Sequence, residues 1–339
     1  MRAVRYHGPR QPFRLEAVSI PEPGAGEVRV RIAACGLCRT ELHLRDGLLD
    51  LGRRGFTVGH EIAGTVDALG AGADPVLLGR PVAVYYYEGC GACPPCTDGE
   101  PNLCVAPRRQ PGFTDDGGLA EWIAVPAANC VPLPPHLSLP AAAPLGCAGS
   151  TAVHACRLAA LRAGERVVVH GAGGVGFALI QVARVAGARV TALARDPAQL
   201  ALCRELGAEH VVDLSASADP VSDAAGHAGA AGADVVFELA GTSDTMARSV
   251  AMLGRKGRLV LIGYTADDFR VHPIPLIVRE ARVIGSVGAT PDDLREAVRL
   301  AAAGSLRIPL DRELPLDRFA DGLAALERGG LSGRIVLRP

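Results

Sequence analysis

Cys90, Cys93, Cys96 and Cys104 are crowded into Cys-Gly-Ala-Cys-Pro-Pro-Cys-Thr-Asp-Gly-Glu-Pro-Asn-Leu-Cys. Two-residue gaps turn neighbouring thiolates toward one ion, and the longer gap lets the fourth close a tetrahedron. Four sulfur ligands leave no open position, so the chemistry is structural: a zinc holding a loop too poor in apolar residues to hold itself. An iron–sulfur cluster, or thiols gathered by chance, are the alternatives. Four cysteines so close together argue against chance, and the spacing favours zinc.

Gly171, Gly173 and Gly176 form a second chemical signal, a Gly-x-Gly-x-x-Gly turn whose other members include Gly174 and Val175. Such glycines permit a tight turn and let backbone N–H groups approach a pyrophosphate at the start of a helix. Alone the pattern is weak, but here Arg166 to His170 reads as a buried strand before it and Gly174 to Ala186 as an apolar helix after it. The next strand should end in an acid that grips a ribose. It ends in Ala194, followed by Arg195. A guanidinium there would welcome a 2′-phosphate, so NADP(H) is expected to be preferred, with NAD(H) possible. The alternative has Arg195 in solvent or stacked on adenine, with Asp196 at the ribose.

Two kinds of scaffold are needed to position these residues. The first 140 or so residues carry short strand candidates at Val28 to Ile32, Glu61 to Val66, Pro81 to Tyr87 and Leu119 to Val125. A proline-dense run from Val131 to Pro144 reads as a winding connection. After Arg166 the rhythm changes to strand and helix in alternation. Strands are expected at Arg189–Ala194, at 210–213, 234–239, 258–264 and 282–287, with helices near 197–206 and 245–253. That alternation indicates a parallel sheet covered on both faces. Amphipathic helices near 291–303 and 319–328 and a strand at 333–337 form a tail expected to return to the first domain. The chain therefore reads as α/β, with residues 1–148 plus 289–339 as one domain and 149–288 inserted as a second.

The strings Gly-Leu-Cys-Arg-Thr-Glu-Leu-His around Cys38, Gly-His-Glu-Ile-Ala-Gly around His60, the four-cysteine segment and Gly-Ala-Gly-Gly-Val-Gly occur in that order. In this the chain resembles the zinc-containing medium-chain alcohol dehydrogenases along essentially its whole length. The resemblance implies a GroES-like catalytic domain with a Rossmann domain inserted. It implies a catalytic zinc on Cys38, His60 and Cys147, which spacing alone could not assemble, and hence two zinc ions per subunit. It implies that Glu61 can approach that metal, that Thr40 bonds the substrate oxygen, and that His43 passes its proton toward solvent. Arg39 and Arg334 would lie near the pyrophosphate, and Tyr86 would line the substrate pocket, with Tyr85 and Tyr87 flanking it on a strand. The chemical logic is that zinc acidifies a bound hydroxyl or polarises a carbonyl, while a hydroxyl and an imidazole supply a proton route. Two departures stand out. Glu41 replaces the aspartate that commonly supports the ligand histidine, and Gly79-Arg80-Pro81-Val82 replaces a usual Gly-Asp-Arg-Val.

The function expected is reversible transfer of a hydride between NAD(P)(H) and a small to medium alcohol, aldehyde or ketone. Reduction of an activated C=C or C=N bond is the sister possibility, and a silent structural oligomer a distant third. With 339 residues, 49% hydrophobic and 21% charged, and a net charge of −1, the chain gives no electrostatic reason for a nucleic-acid or membrane partner. A start without an apolar signal core, and no apolar stretch long enough to span a bilayer, lead to the expectation of a cytoplasmic protein. A homodimer or homotetramer is expected, with Val283 to Val287 as the interface to inspect first. Cys35, Cys130, Cys156 and Cys203 read as small buried residues.

Overall fold

The computed structural model describes residues 1–227 and 231–339, which form two compact units, Met1–Ser150 with Ala289–Pro339 and Thr151–Gly288. Among the described residues, no helix is long and apolar enough to cross a membrane.

The first unit is built on the long strand Glu27–Leu37. Val28, Val30 and Ile32 alternate inward with Arg29 and Arg31 on the other face, and this period of two makes the segment a half-buried strand. Beyond Ile32 the alternation stops, and Ala34 to Leu37 are all buried. The strand pairs antiparallel with Glu61–Leu69, with Trp122–Pro126 and with Arg334–Arg338. Pro81–Val84, Cys130–Pro132 and Leu310–Pro315 complete that sheet, and a smaller sheet joins Arg14–Ala17, Arg2–Tyr6 and Phe56–Thr57. The tail does return to this unit. Leu323 and Leu326 of the helix Phe319–Arg328 share one core with Val30, Ile62 and Val82.

The second unit is a doubly wound parallel sheet. Its strands lie in the order His210–Asp213, Arg189–Ala194, Arg166–His170, Ala233–Glu238, Leu253–Leu261, Arg282–Gly285. Strand order reverses beside Arg166–His170, the position at which such sheets bind ligands beyond the strands' carboxyl ends.

Two expectations need correction. The strand starting at Pro81 ends at Val84, so Tyr85, Tyr86 and Tyr87 do not alternate across a sheet; all three are buried. The Tyr85 hydroxyl donates to Ala289 O at 2.8 Å, and Asn129 Nδ2 holds the carbonyls of Tyr85 and Tyr87. These bonds take the place of a ladder. The strand expected at 258–264 begins earlier and spans Leu253–Leu261.

Candidate functional site

In the four-cysteine segment every sulfur lies within 4.8 Å of the others. Cys90 Sγ and Cys96 Sγ are 4.0 Å apart, and Cys93 Sγ and Cys104 Sγ 3.8 Å. A tetrahedral ion with sulfur at about 2.3 Å requires sulfurs about 3.8 Å apart. All four thiols are free of disulfides, so the arrangement fits zinc. Backbone N–H groups support it: Cys93 N donates to Cys90 Sγ at 3.3 Å and Cys90 N to Cys104 Sγ at 3.2 Å. The N–H groups of Ala92 and Cys93, both donating to Cys90 Sγ, pull that thiol down to about 6, toward the thiolate that binds metal.

A second donor set gathers Cys38, His60, Glu61 and Cys147, again within 4.8 Å of one another. Strand pairing assembles most of it. Gly36 pairs with Glu61 and Leu37 with Ile335, so Cys38, His60 and Arg334 all sit just beyond the ladder at one end of the sheet. Cys147 arrives from the 3-10 turn Ala143–Gly146. Gly36 is needed for this arrangement, because a Cβ there would collide with the Glu61 carboxylate.

Cys38 precedes the helix Arg39–Asp46. Three residues on, Glu41 reaches back in two directions. Its Oε2 accepts the Cys38 N–H at 2.8 Å, and its Oε1 lies 3.1 Å from His60 Nδ1. The extra methylene relative to aspartate therefore serves both as a helix cap and as the support of the imidazole. With Nδ1 engaged, Nε2 is the nitrogen left to bind metal. Thr40 Oγ1 lies 3.5 Å from Cys38 Sγ, and His43 sits half-buried one turn later on the same helix. Burial lowers the His43 pKa, which favours the neutral ring.

Arg334 is buried, its Nη2 2.7 Å from Glu61 Oε1, 3.7 Å from Cys38 Sγ and 4.0 Å from Cys147 Sγ. The resemblance implies a pyrophosphate near it, and in this structure its guanidinium faces the sulfur cluster. Arg39 is exposed at the first turn of its helix. A hydrogen bond between the free sulfurs of Cys38 and Cys147 drives Cys38 well below the usual thiol range and, with burial, Cys147 well above it. Burial works to lower the His60 pKa, but the Glu41 carboxylate and the Cys38 sulfur reverse that and hold it at about 10. Burial lifts Glu61 to about 7 against the pull of Arg334. Soft sulfur and imidazole donors, all within reach of one point, fit a zinc ion.

Tyr86 meets His60 edge-on with centroids 5.1 Å apart and stacks with Phe113 at 5.4 Å. Phe113 itself lies 4.9 Å from the His60 ring. Sequence reading missed Phe113, since its Pro-Gly-Phe-Thr segment carries no pattern beyond that of a turn.

In the second unit the strand Arg166–His170 runs into Gly171, at φ +124, and Gly173 caps the helix Gly174–Val185. Gly176 is buried so close to Gly171 O that no side chain would fit. Gly173 is exposed, and no atom would meet a Cβ there within 4 Å, so the helix start is open to a ligand. Ala194 is buried at its strand's end and Arg195 is exposed. Asp196 Oδ1 accepts from Ala198 N at 2.8 Å and Gln199 N at 3.2 Å, capping the next helix.

Residues 24–135 match the alcohol dehydrogenase GroES-like domain family and residues 174–303 the zinc-binding dehydrogenase family. An NAD-dependent alcohol dehydrogenase of Sulfurisphaera tokodaii is 33% identical, with both chains covered completely. The alcohol dehydrogenase of Aeropyrum pernix superimposes with a TM-score of 0.93 at 34% identity, again over all of both chains. A zinc-binding-dehydrogenase structure from Sinorhizobium meliloti bound to NADP has a TM-score of 0.92 at 31% identity, covering 100% of this chain and 99% of that one.

Proposed function

The chain belongs to the zinc-dependent medium-chain alcohol dehydrogenase family, and within it we propose an NADP(H)-preferring enzyme with two zinc ions per subunit that interconverts small to medium alcohols and their carbonyl compounds. It is a zinc-dependent alcohol oxidoreductase acting with a nicotinamide cofactor on small molecules. The observation that carries the proposal is the buried cluster of Cys38, His60 and Cys147 with Thr40 and His43 on the adjoining helix.

Zinc held by Cys38, His60 and Cys147 would supply Lewis acidity toward the oxygen of an alcohol or carbonyl. Glu41 sets the tautomer of His60 that leaves Nε2 free to bind. The Thr40 hydroxyl would exchange a proton with a substrate oxygen, and the neutral His43 ring would take that proton onward. Tyr86 and Phe113 give the site an aromatic wall, which suits an apolar substituent on the substrate. Glu61 and Arg334 set the charge around the sulfurs. Cys90, Cys93, Cys96 and Cys104 would hold the second, structural zinc.

Two features support NADP(H). Ala194 stands where a carboxylate would grip the ribose, with Arg195 exposed directly after it, and one Asp196 oxygen is already occupied by two backbone donors. A homo-oligomer is supported by the strand Arg282–Gly285, which forms an edge of its sheet. Val283, Val287, Ile277 and Val278 are exposed along or near it.

The test uses 4-deuterated NADPH with cinnamaldehyde, a substrate offering both a carbonyl and an activated double bond. Deuterium on the alcohol carbon is the expected result. Deuterium on the β-carbon would overturn the carbonyl reading in favour of alkene reduction.

A further inference from the structure

The strand Ala233–Glu238 ends in an acid that no step above uses. Glu238 is fully buried, an expensive place for a carboxylate unless its oxygens are satisfied. They are: Ala240 N donates to Oε1 at 3.0 Å, and Gly241 N reaches Oε1 at 3.0 Å and Oε2 at 2.9 Å. Burial lifts the carboxyl above its usual range, while those amides and Thr245 pull it back. The bonds fold the backbone over directly after the strand.

The folded segment, Leu239 to Gly241, is packed on two sides. Toward the glycine turn, a Cβ on Gly171 would lie 3.2 Å from Leu239 Cβ, and one on Gly176 would lie 3.2 Å from Leu239 Cδ1. On the other side Gly241, at φ +73, abuts the backbone of Gly263 and Tyr264, and the Thr265 hydroxyl donates to Gly241 O at 2.7 Å. Thr242 then caps the helix Ser243–Met252 and gives the segment a fixed exit. Leu239 is therefore the floor of the Gly171–Gly176 turn, and Glu238 determines where that floor lies.

We infer that Glu238 is a positioning residue for the cofactor: its bonds to Ala240 and Gly241 hold Leu239 against the glycine turn, and so hold the turn's amides where a dinucleotide pyrophosphate can meet them. The inference rests on the reading of that turn as the nicotinamide dinucleotide site. It confines the effect of Glu238 to cofactor binding and separates it from zinc and from the alcohol.

The test is calorimetric titration of zinc-loaded, full-length wild type, E238Q, E238L and L239A with NADPH and with NADH, beside steady-state kinetics and zinc content. E238L takes the acceptor from the amides of Ala240 and Gly241, the latter buried, and its cofactor Kd is expected to rise about tenfold or more. L239A, at a half-buried position, should weaken binding severalfold by removing the floor directly. E238Q keeps one oxygen that can accept from both amides and should largely rescue binding. Zinc per chain, kcat at saturating cofactor and the KM for alcohol should hold. Wild-type cofactor affinity in L239A, or in a folded E238L, would overturn the inference alone. Should E238L fail to fold, L239A decides the matter. Failure of the wild type to bind either dinucleotide would instead overturn the reading of the turn.

Discussion

Glu41 gives the sharpest test of how the catalytic metal is held. Its two oxygens serve two donors, the Cys38 N–H at 2.8 Å and His60 Nδ1 at 3.1 Å, and both lie in a buried site. Glutamine has nearly the same shape but only one acceptor oxygen. If that oxygen faces Cys38 N, the amide NH2 confronts the imidazole N–H. The imidazole must then move its proton to Nε2, the atom needed for metal. If the amide flips, the helix loses its cap and a buried backbone N–H is stranded. Either way E41Q forfeits one charge-assisted bond, about 1.5–3 kcal/mol, or roughly 10- to 150-fold in zinc affinity at this site. That overlaps the 10- to 100-fold range typical for partners that orient metal ligands. E41D keeps two oxygens one methylene short and should fall between. The assay is the rate of zinc release to a chromophoric chelator, followed with zinc content by mass spectrometry. C38S marks the phase belonging to this site. E41Q releasing zinc as slowly as wild type, while C38S loses it, would refute the account of Glu41.

Three further outcomes are expected. C104S removes one corner of the sulfur tetrahedron and should lower zinc content from about two ions per chain to about one, with loss of order in residues 90–104. Unchanged stoichiometry would show that this segment holds no zinc. R195D should weaken NADPH binding about 10- to 150-fold, the range for a hydrogen bond to a charged group, while sparing NADH. Unchanged or tighter NADPH binding would defeat the NADP(H) preference. Burial beside Ser249 lowers His170 to about 4, against about 6.5 when unfolded, so between these values the unfolded chain binds more protons. The stability that depends on neutral His170 is thus complete above about pH 6.5 and lost as pH falls toward 4. Roughly 2 kcal/mol should disappear between pH 8 and pH 5. Urea unfolding of wild type and H170Q across that range should show a steeper acid loss for wild type, and parallel curves would refute the assignment.

Legibility in the sequence followed the range of the interactions. The four cysteines and the glycine turn are local devices, in which the spacing itself is the geometry, so both could be read directly. Cys38, His60 and Cys147 are distant in sequence, and what joins them is a register, Gly36 opposite Glu61 and Leu37 opposite Ile335, that no periodicity specifies. Only resemblance reached them. Tyr85 to Tyr87 misled because three apolar rings after a valine-rich run extend a strand pattern. Asn129 satisfies that backbone from its side chain instead, and only the folded chain brings it there. Phe113 lay in a turn whose residues report the turn and not what it covers.

Arg334 and Glu61 show why the metal end of the sheet departs from ordinary folding rules. An apolar pair facing each other at this buried end of the sheet would be the more stable choice, since a buried ion pair seldom recovers its desolvation. Here a glycine faces a glutamate whose carboxylate occupies the space of the missing side chain. The guanidinium is 2.7 Å away, yet among the described residues neither Glu61 oxygen has a partner in hydrogen-bond geometry. Glu61 is thus held by charge and by room, not by directional bonds, unlike Glu41, whose two oxygens are both aligned. One carboxylate is fixed and orients a ligand; the other is held by its ion pair with Arg334. A metal ion would displace the protons of Cys147 and of His60 Nε2, leaving two thiolates and two carboxylates facing one guanidinium, and a dication is the partner that balances that set. The buried charges at this end of the sheet are therefore best explained by the metal they would hold.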